Sequence, residues 1–424
     1  MIVLYNICFL LFCIIYLPYL LIKRNFHKDF FQKFGILSSS VVLLKNPIWI
    51  HAVSVGEGAI AIKLSKALKK EFPFVSIIVS TTTQTGHDFV TKEQGKSIDA
   101  TFYYPFDFSF IVKNVLKKIK PRLYIVIETE LWPNLLTQLF FKKIPIMLVN
   151  GRLSDRSFSS YFKIRFVFDN ILKKISCFCM QSEQDAQKIL KLGADEKKVF
   201  NLGNIKFDEE LIVEKNSMFD KSFFHFSEKN YVIVGGSTHS PEEQYLIDIY
   251  KKKININGSL RLILVPRHIN RINSIVKYIN NVGLEYVLFS NLLNKNNVLE
   301  NNKKIILVDK IGYLKNIYSV ADIVFVGGSL VKKGGQNPIE PALWGKAIIF
   351  GKYMYNFRQI SDIFIKNNAA IMVKDNMDLE LRINDLLLSS EKRDVLASNA
   401  QNVVKENNGA LLKTLEKIKE YINI

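Results

Sequence analysis

The sequence predicts an α/β protein built from two doubly wound parallel sheets. Three observations lead there. Short apolar, β-branched runs alternate with stretches of helical period, the pattern of successive βαβ units. The alternation breaks once, over Asp208 to Asn230, where the chain turns polar and phenylalanine-rich, and then it restarts. Polar clusters fall where the apolar runs end, and in such sheets ligands collect at the carboxyl ends of the strands. At 424 residues the chain is too long for one ordinary core. The expected divisions are an apolar segment at 1–22, a basic connector at 23–45, a first domain at 46–207, a linker at 208–230 and a second domain at 231–424.

Met1 to Ile22 contain no charged residue, which is close to the ~20 residues a helix needs to cross a bilayer. Lys23, Arg24, His27 and Lys28 follow at once, so the positive-inside bias leaves everything downstream in the cytoplasm. A cleaved leader would want a charged start before the apolar run and a small-residue cleavage site after it, and both are missing. We expect an uncleaved membrane anchor, either crossing once or half inserted with a kink at Pro18.

The first domain then reads as a strand over Pro47 to Ser54 and a helix through Glu71 with Ile60, Leu64, Ala67 and Leu68 on one face. Further strands are expected over Val75 to Thr83, in RLYIVIETE after Pro121, and over Ile144 to Asn150, Ile175 to Gln181 and Val199 to Leu202. The second domain offers Tyr231 to Val234, Arg261 to Val265, Tyr286 to Phe289, Ile305 to Val308, Ile323 to Val326 and Ala347 to Phe350, with a helical tail from about Leu379.

Hydrophobic residues make up 48% and charged residues 23% of the chain, the balance of a packed globular protein. The net charge of +19 suits an anionic partner: nucleic acid, an anionic membrane surface or a phosphorylated substrate. The basic residues are scattered and form no nucleic-acid module, so nucleic acid is set aside. Cys8, Cys13, Cys177 and Cys179 match neither zinc nor disulfide spacing, which fits a reduced setting. His239 and His268 lack partners at ligand spacing, so no metal is expected. No G-x-G-x-x-G follows a first strand, which counts against a dinucleotide dehydrogenase.

One stretch stands out, ADIVFVGGSLVKKGGQNPIEPALWGKAIIFG from Ala321 to Gly351. A strand empties into a loop with Gly327, Gly328, Gly334 and Gly335, and a helix starts with Asn337 as N-cap, Pro338 at the first position and Glu340 in the first turn. This predicts a cradle of free backbone N–H groups for a phosphate-bearing ligand. The other reading leaves Glu340 a capping-box partner and the glycines a turn.

Other candidates sit at further strand ends. Glu57 opens a helix, where it is either a first-turn acid stabilised by the dipole or a carboxylate ready to accept a proton. Glu128 and Glu130 lie two apart and are expected on one face of a strand. Arg152 and Arg156 follow a strand as forks for phosphate or carboxylate, or are surface arginines. Lys206 lies at the domain junction, where a solvated lysine is the plain alternative. Arg267, in VPRH, would clamp a phosphate against the glycine cradle.

Taken in order, HAVSVGE, TTTQTG, YYPFD, ETELWPN, NGRLSDRS, LGADEKKVFNLGNIKFD, STH, LVPRH and VGGSLVKKGGQNPIEP resemble the 3-deoxy-D-manno-octulosonic acid (Kdo) transferases of lipid A assembly. The resemblance runs from the N-terminal segment to about Phe357 and more weakly beyond. It implies the GT-B fold, two Rossmann-like domains facing across a cleft. It implies inverting transfer of Kdo from CMP-Kdo to the lipid A precursor (lipid IVA) at the cytoplasmic face of the inner membrane, with no metal or other cofactor. By the same resemblance Glu57 is the general base, and Glu128 and Lys206 stabilise the transition state. Donor nucleotide contacts would fall on Pro266 and Arg267, on Ile311, Gly312 and Tyr313, and on Asn337, Pro338, Ile339 and Glu340. One departure matters. The family usually has Met-Gly-Glu where this chain has Ile311, Gly312 and Tyr313, so a contact through the Glu side chain is lost. The alternatives are a GT-B transferase for another nucleotide-sugar, and a membrane-tethered nucleotide-sugar or lipid-binding protein without catalysis.

Overall fold

A computed structural model describes residues 5–7, 9–11, 14, 29–208, 218–254, 258–294 and 305–422. The chain divides into two units, the first of residues 1–208 with 408–424 and the second of residues 209–407.

The first unit is built on seven strands: β1 (Ile48–Ala52), β2 (Ile77–Thr81), β3 (Ala100–Tyr103), β4 (Leu123–Ile127), β5 (Ile146–Gly151), β6 (Cys177–Met180) and β7 (Val199–Asn201). They lie in the order β3-β2-β1-β4-β5-β6-β7, and every pairing is parallel. The first six are buried along their whole length, which is why they read as unbroken apolar runs rather than alternating ones. Strand order reverses between β1 and β4, and Ile50 sits level with Val79 on one side and Ile125 on the other. One face of the sheet packs Trp49 against Phe102 and Tyr124. The other is covered by the helix Val55–Glu71, which buries Ile60, Ala61, Leu64 and Leu68.

The helix Ala410–Lys419 covers that second face as well, burying Ala410, Leu415 and Ile418. The second domain expected to run to 424 therefore ends earlier, and 408–424 return to the first unit. The return is held at its start by the Asp208 carboxylate, which accepts from the backbone N–H groups of Gly409 and Leu411. The helix's apolar stripe requires a sheet to cover, but nothing in it says which one.

The expected anchor at 1–22 falls mostly outside the described residues. Those described are helical and rest on the first unit: Asn6 Nδ2 donates to Ser109 Oγ at 3.1 Å, Asn6 Oδ1 accepts from Asn134 Nδ2 at 2.7 Å, and the Phe9 ring lies 4.9 Å from Phe108. Ile7, Leu10, Leu11 and Ile14 are exposed. Among the described residues no helix is long and apolar enough to cross a membrane. The later part of the basic connector packs onto the unit through Phe30 and Val41.

The second unit holds β8 (Tyr231–Thr238), β9 (Leu260–Pro266), β10 (Tyr286–Leu288), β11 (Ile305–Leu307), β12 (Ile323–Val326), β13 (Ala347–Gly351) and β14 (Ile371–Val373). Their order is β10-β11-β9-β8-β12-β13-β14, again all parallel, with the reversal between β8 and β12. The expected linker is only partly one. Residues 218–230 belong to this unit, because Phe219, Phe224 and Phe226 are buried and the first two pack on Phe289.

Candidate functional site

In the first unit, loops leaving β1, β4 and β5 beside the point of strand reversal each deliver charged groups, the location where open α/β sheets place their ligands. After β1, Ser54 caps the helix Val55–Glu71 and Glu57 folds back on it. Glu57 Oε1 accepts from Ser54 Oγ at 3.0 Å, and Oε2 accepts from Val53 N at 2.6 Å. This resembles a capping box shifted to the N–H one residue before the cap, yet the same carboxylate lines a cavity of about 160 Å³ with Glu128 and Glu130. Burial pushes the Glu57 pKa up; the Val53 N–H opposes this and the Glu128 charge adds to it. Burial thus outweighs the helix terminus, making Glu57 a stronger base than a solvated carboxylate.

After β4 the backbone turns left-handed at Glu128, with φ +59. Glu128 Oε2 lies 3.0 Å from Arg152 Nε and Oε1 lies 3.2 Å from Lys206 Nζ, so one carboxylate holds two cations. Glu130 lines the same cavity, although not for the reason expected. The strand stops at Ile127, and the turn, not strand alternation, brings the two acids together. Burial first, then the Glu57 charge, pushes the Glu130 pKa up to about 7.

After β5, Gly151 has no room for a side chain, since a Cβ would stand 2.2 Å from Leu148 Cδ2. Thr129 Oγ1 donates to the Arg152 carbonyl, and Asp185 Oδ1 accepts from Leu153 N at 2.8 Å, which fixes the Arg152 turn. Lys206 arrives from further along the chain. Asn150 Oδ1 accepts from Ile205 N at 2.9 Å, and Asn204 Oδ1 accepts from Lys206 N at 3.0 Å. Arg156 lies exposed on the helix Asp155–Lys163 and does not line this cavity, while Ser157 and Tyr161 of that helix do.

In the second unit the glycine loop after β12 differs from expectation. The N–H groups of its first turn are not free. Gly328 N, Ser329 N and Leu330 N donate to the Glu242 carboxylate at 2.7, 3.0 and 2.9 Å, and His239 N does so at 2.9 Å. Glu242 opens the helix Glu242–Ile254 and is fully buried. The helix after the loop spans only Ile339–Leu343, one residue later than expected, although Asn337 Oδ1 still accepts from Ile339 N at 3.1 Å.

Beside this loop, the ends of β8, β9, β11 and β12 surround a cavity of about 270 Å³. Pro266, Arg267, Ile311, Gly312, Asn337 and Glu340 line it, as do Ser237 and Gln336 from the STH and VGGSLVKKGGQNPIEP motifs, and Lys310 and Tyr318, which sequence reasoning did not single out. Lys310 carried a signal, a cation three residues past the end of β11 and immediately before Ile311. Three of the proposed donor contacts do not line the cavity. Pro338 and Ile339 are buried, and the Tyr313 ring packs 5.1 Å from Phe289 and 6.1 Å from Phe219. Among the described residues no group of three His, Cys, Asp or Glu side chains is placed to hold a metal ion.

Residues 28–209 match the family model described as 3-deoxy-D-manno-octulosonic-acid transferase (kdotransferase). The chain is 33% identical over 392 residues to a 3-deoxy-D-manno-octulosonic acid transferase of Haemophilus influenzae, covering 92% of this chain and 91% of that one. It is 37% identical over 388 residues to a bifunctional glycosyltransferase/methyltransferase of Fusobacterium nucleatum, covering 88% of this chain and 59% of that one, so it spans about three fifths of that relative. Among solved structures, a glycosyltransferase from Rickettsia africae aligns over 89% of this chain and 100% of its own, with a TM-score of 0.53 and 17% identity. At that identity the likeness speaks for the fold alone.

Proposed function

This chain belongs to the Kdo transferases, a glycosyltransferase family, and on that premise we propose that it moves Kdo from CMP-Kdo to lipid IVA with inversion, Glu57 serving as the base. What carries the reading is the convergence of Glu57, Glu128 and Lys206, from three separate loops, at the reversal point of the first sheet. Glu57 takes the proton from the acceptor hydroxyl as its oxygen attacks the anomeric carbon. The bond to the CMP phosphate oxygen breaks, and CMP leaves with the electron pair. The raised pKa of Glu57 favours this proton transfer. Glu128 favours the positive charge that develops on the sugar. Lys206, held on Glu128, is the cation proposed beside it for transition-state stabilisation. In the second unit Arg267 and Lys310 supply two cations for the phosphate without a divalent ion, and Glu340 suits the ribose hydroxyls.

Residues 1–22 are the proposed anchor to the cytoplasmic face of the inner membrane, supported by their uncharged sequence and basic flank. The net charge of +19 favours the anionic surface and a phosphorylated lipid acceptor.

The test is mass spectrometry of the product from CMP-Kdo and lipid IVA. Glu57→Ala should lose about 10²–10⁴ of the turnover while CMP binds as before. Near-normal turnover in that variant removes Glu57 from the role of base. Inhibition by UDP equal to that by CMP would instead point to a different donor.

A further inference from the structure

Glu242 is a carboxylate without exposed surface that spans two segments of the second unit. Its Oε2 accepts from His239 N and Gly328 N, and its Oε1 from Ser329 N and Leu330 N. A concave run of N–H groups of this kind is an anion site, and here the anion belongs to the protein. The neighbouring Glu243 is occupied elsewhere, bonded to Arg271 at 2.6 and 3.1 Å.

Both walls of the 270 Å³ cavity lead back to this carboxylate. On one side, Ser237 precedes His239 by two residues, and Arg267 N donates to Thr238 O at 3.0 Å. On the other, Gly335 N donates to Gly328 O at 2.9 Å, immediately before Gln336 and Asn337. The segments approach too closely for a side chain at Gly327, where a Cβ would stand 2.5 Å from Ser237 O.

From this geometry we propose that Glu242 is a positioning residue of the donor site. It occupies the glycine-loop N–H groups as an internal anion, sets both walls of the cavity, and leaves the donor's phosphate to the side chains of Arg267 and Lys310. The proposal rests on the donor reading above in calling this cavity the donor site. Removal of the acid would leave the N–H groups buried without acceptors, and the loop would shift to find others.

The experiment compares full-length wild type, Glu242→Ala and Glu242→Gln by CMP titration, steady-state kinetics and hydrogen exchange. Gln keeps the volume but turns an NH₂ donor toward N–H groups, so it reports on the charge if the Ala variant fails to fold. Expected are a CMP Kd at least about tenfold higher, a matching rise in donor KM with kcat and acceptor KM little changed, and faster exchange over residues 326–337. Formate, small enough for the vacated anion site, should restore CMP affinity to Glu242→Ala. Wild-type CMP affinity in either folded variant overturns the proposal, as does unchanged exchange over 326–337 or a folded Glu242→Ala indifferent to formate. Should wild type itself fail to bind CMP, the donor reading falls, and the exchange data still decide whether Glu242 holds the loop.

Discussion

Glu130 keeps its proton to about pH 7 in the folded protein, whereas the unfolded chain gives it up near 4.5. The sign of the consequence follows. Below 4.5 both states hold the proton; as pH rises to 7 only the unfolded state ionises, so stability falls across that window. The loss is on the order of 2 kcal/mol, allowing for solvent at the open cavity. Glu130→Gln carries no charge to bury. It should match wild type in urea unfolding at pH 4 and exceed it at pH 8, and equal stabilities at pH 8 would contradict the burial. At this scale Glu57 and Glu128 were readable as acids at strand ends. Lys206 was separable from the other lysines only through the family resemblance and not by its local pattern, because folding alone brings it to Glu128. Glu242 was unreadable for the same reason, being 86 residues from Gly328 in sequence.

Asn150, one residue before the end of β5, lies in the left-handed region with φ +55, and its side chain acts as the strut for the Lys206 turn. Two replacements separate these roles. Asn150→Gly tolerates the backbone but loses the bond to Ile205 N, at a cost of about 1 kcal/mol. Asn150→Ala adds backbone strain, for a total of about 2–3 kcal/mol. Both should lower turnover by loosening Lys206, and equal melting temperatures for the two would show that strain is absent. Most strands could be placed from their apolar β-branched runs. β3 and β14 could not: the first is only Ala-Thr-Phe-Tyr, and the second is Ile-Met-Val. The glycine loop was located correctly as strand, loop and helix start, but the N–H groups of Gly328, Ser329 and Leu330, assigned there to a ligand, go to a distant acid.

The +19 charge and the two-sheet plan could be read from the whole chain, but the return of 408–424 to the first unit could not. Deleting residues 408–424 removes Ala410, Leu415, Ile418 and Ile422 from the core of the first unit, at about 1.5–3 kcal/mol for each large side chain. Hydrogen exchange should then quicken across residues 46–208 and stay unchanged across 231–407; the reverse would assign the helix to the wrong sheet. The same feature orders events during synthesis. The second unit leaves the ribosome before the helix Ala410–Lys419, so the earliest-made sheet waits, with the face under Val55–Glu71 only partly covered, until residues 408–424 have emerged. A chaperone that shields nascent apolar surface would find its longest-lived target there, and a stop before residue 408 would damage the sheet made from residues 48–201.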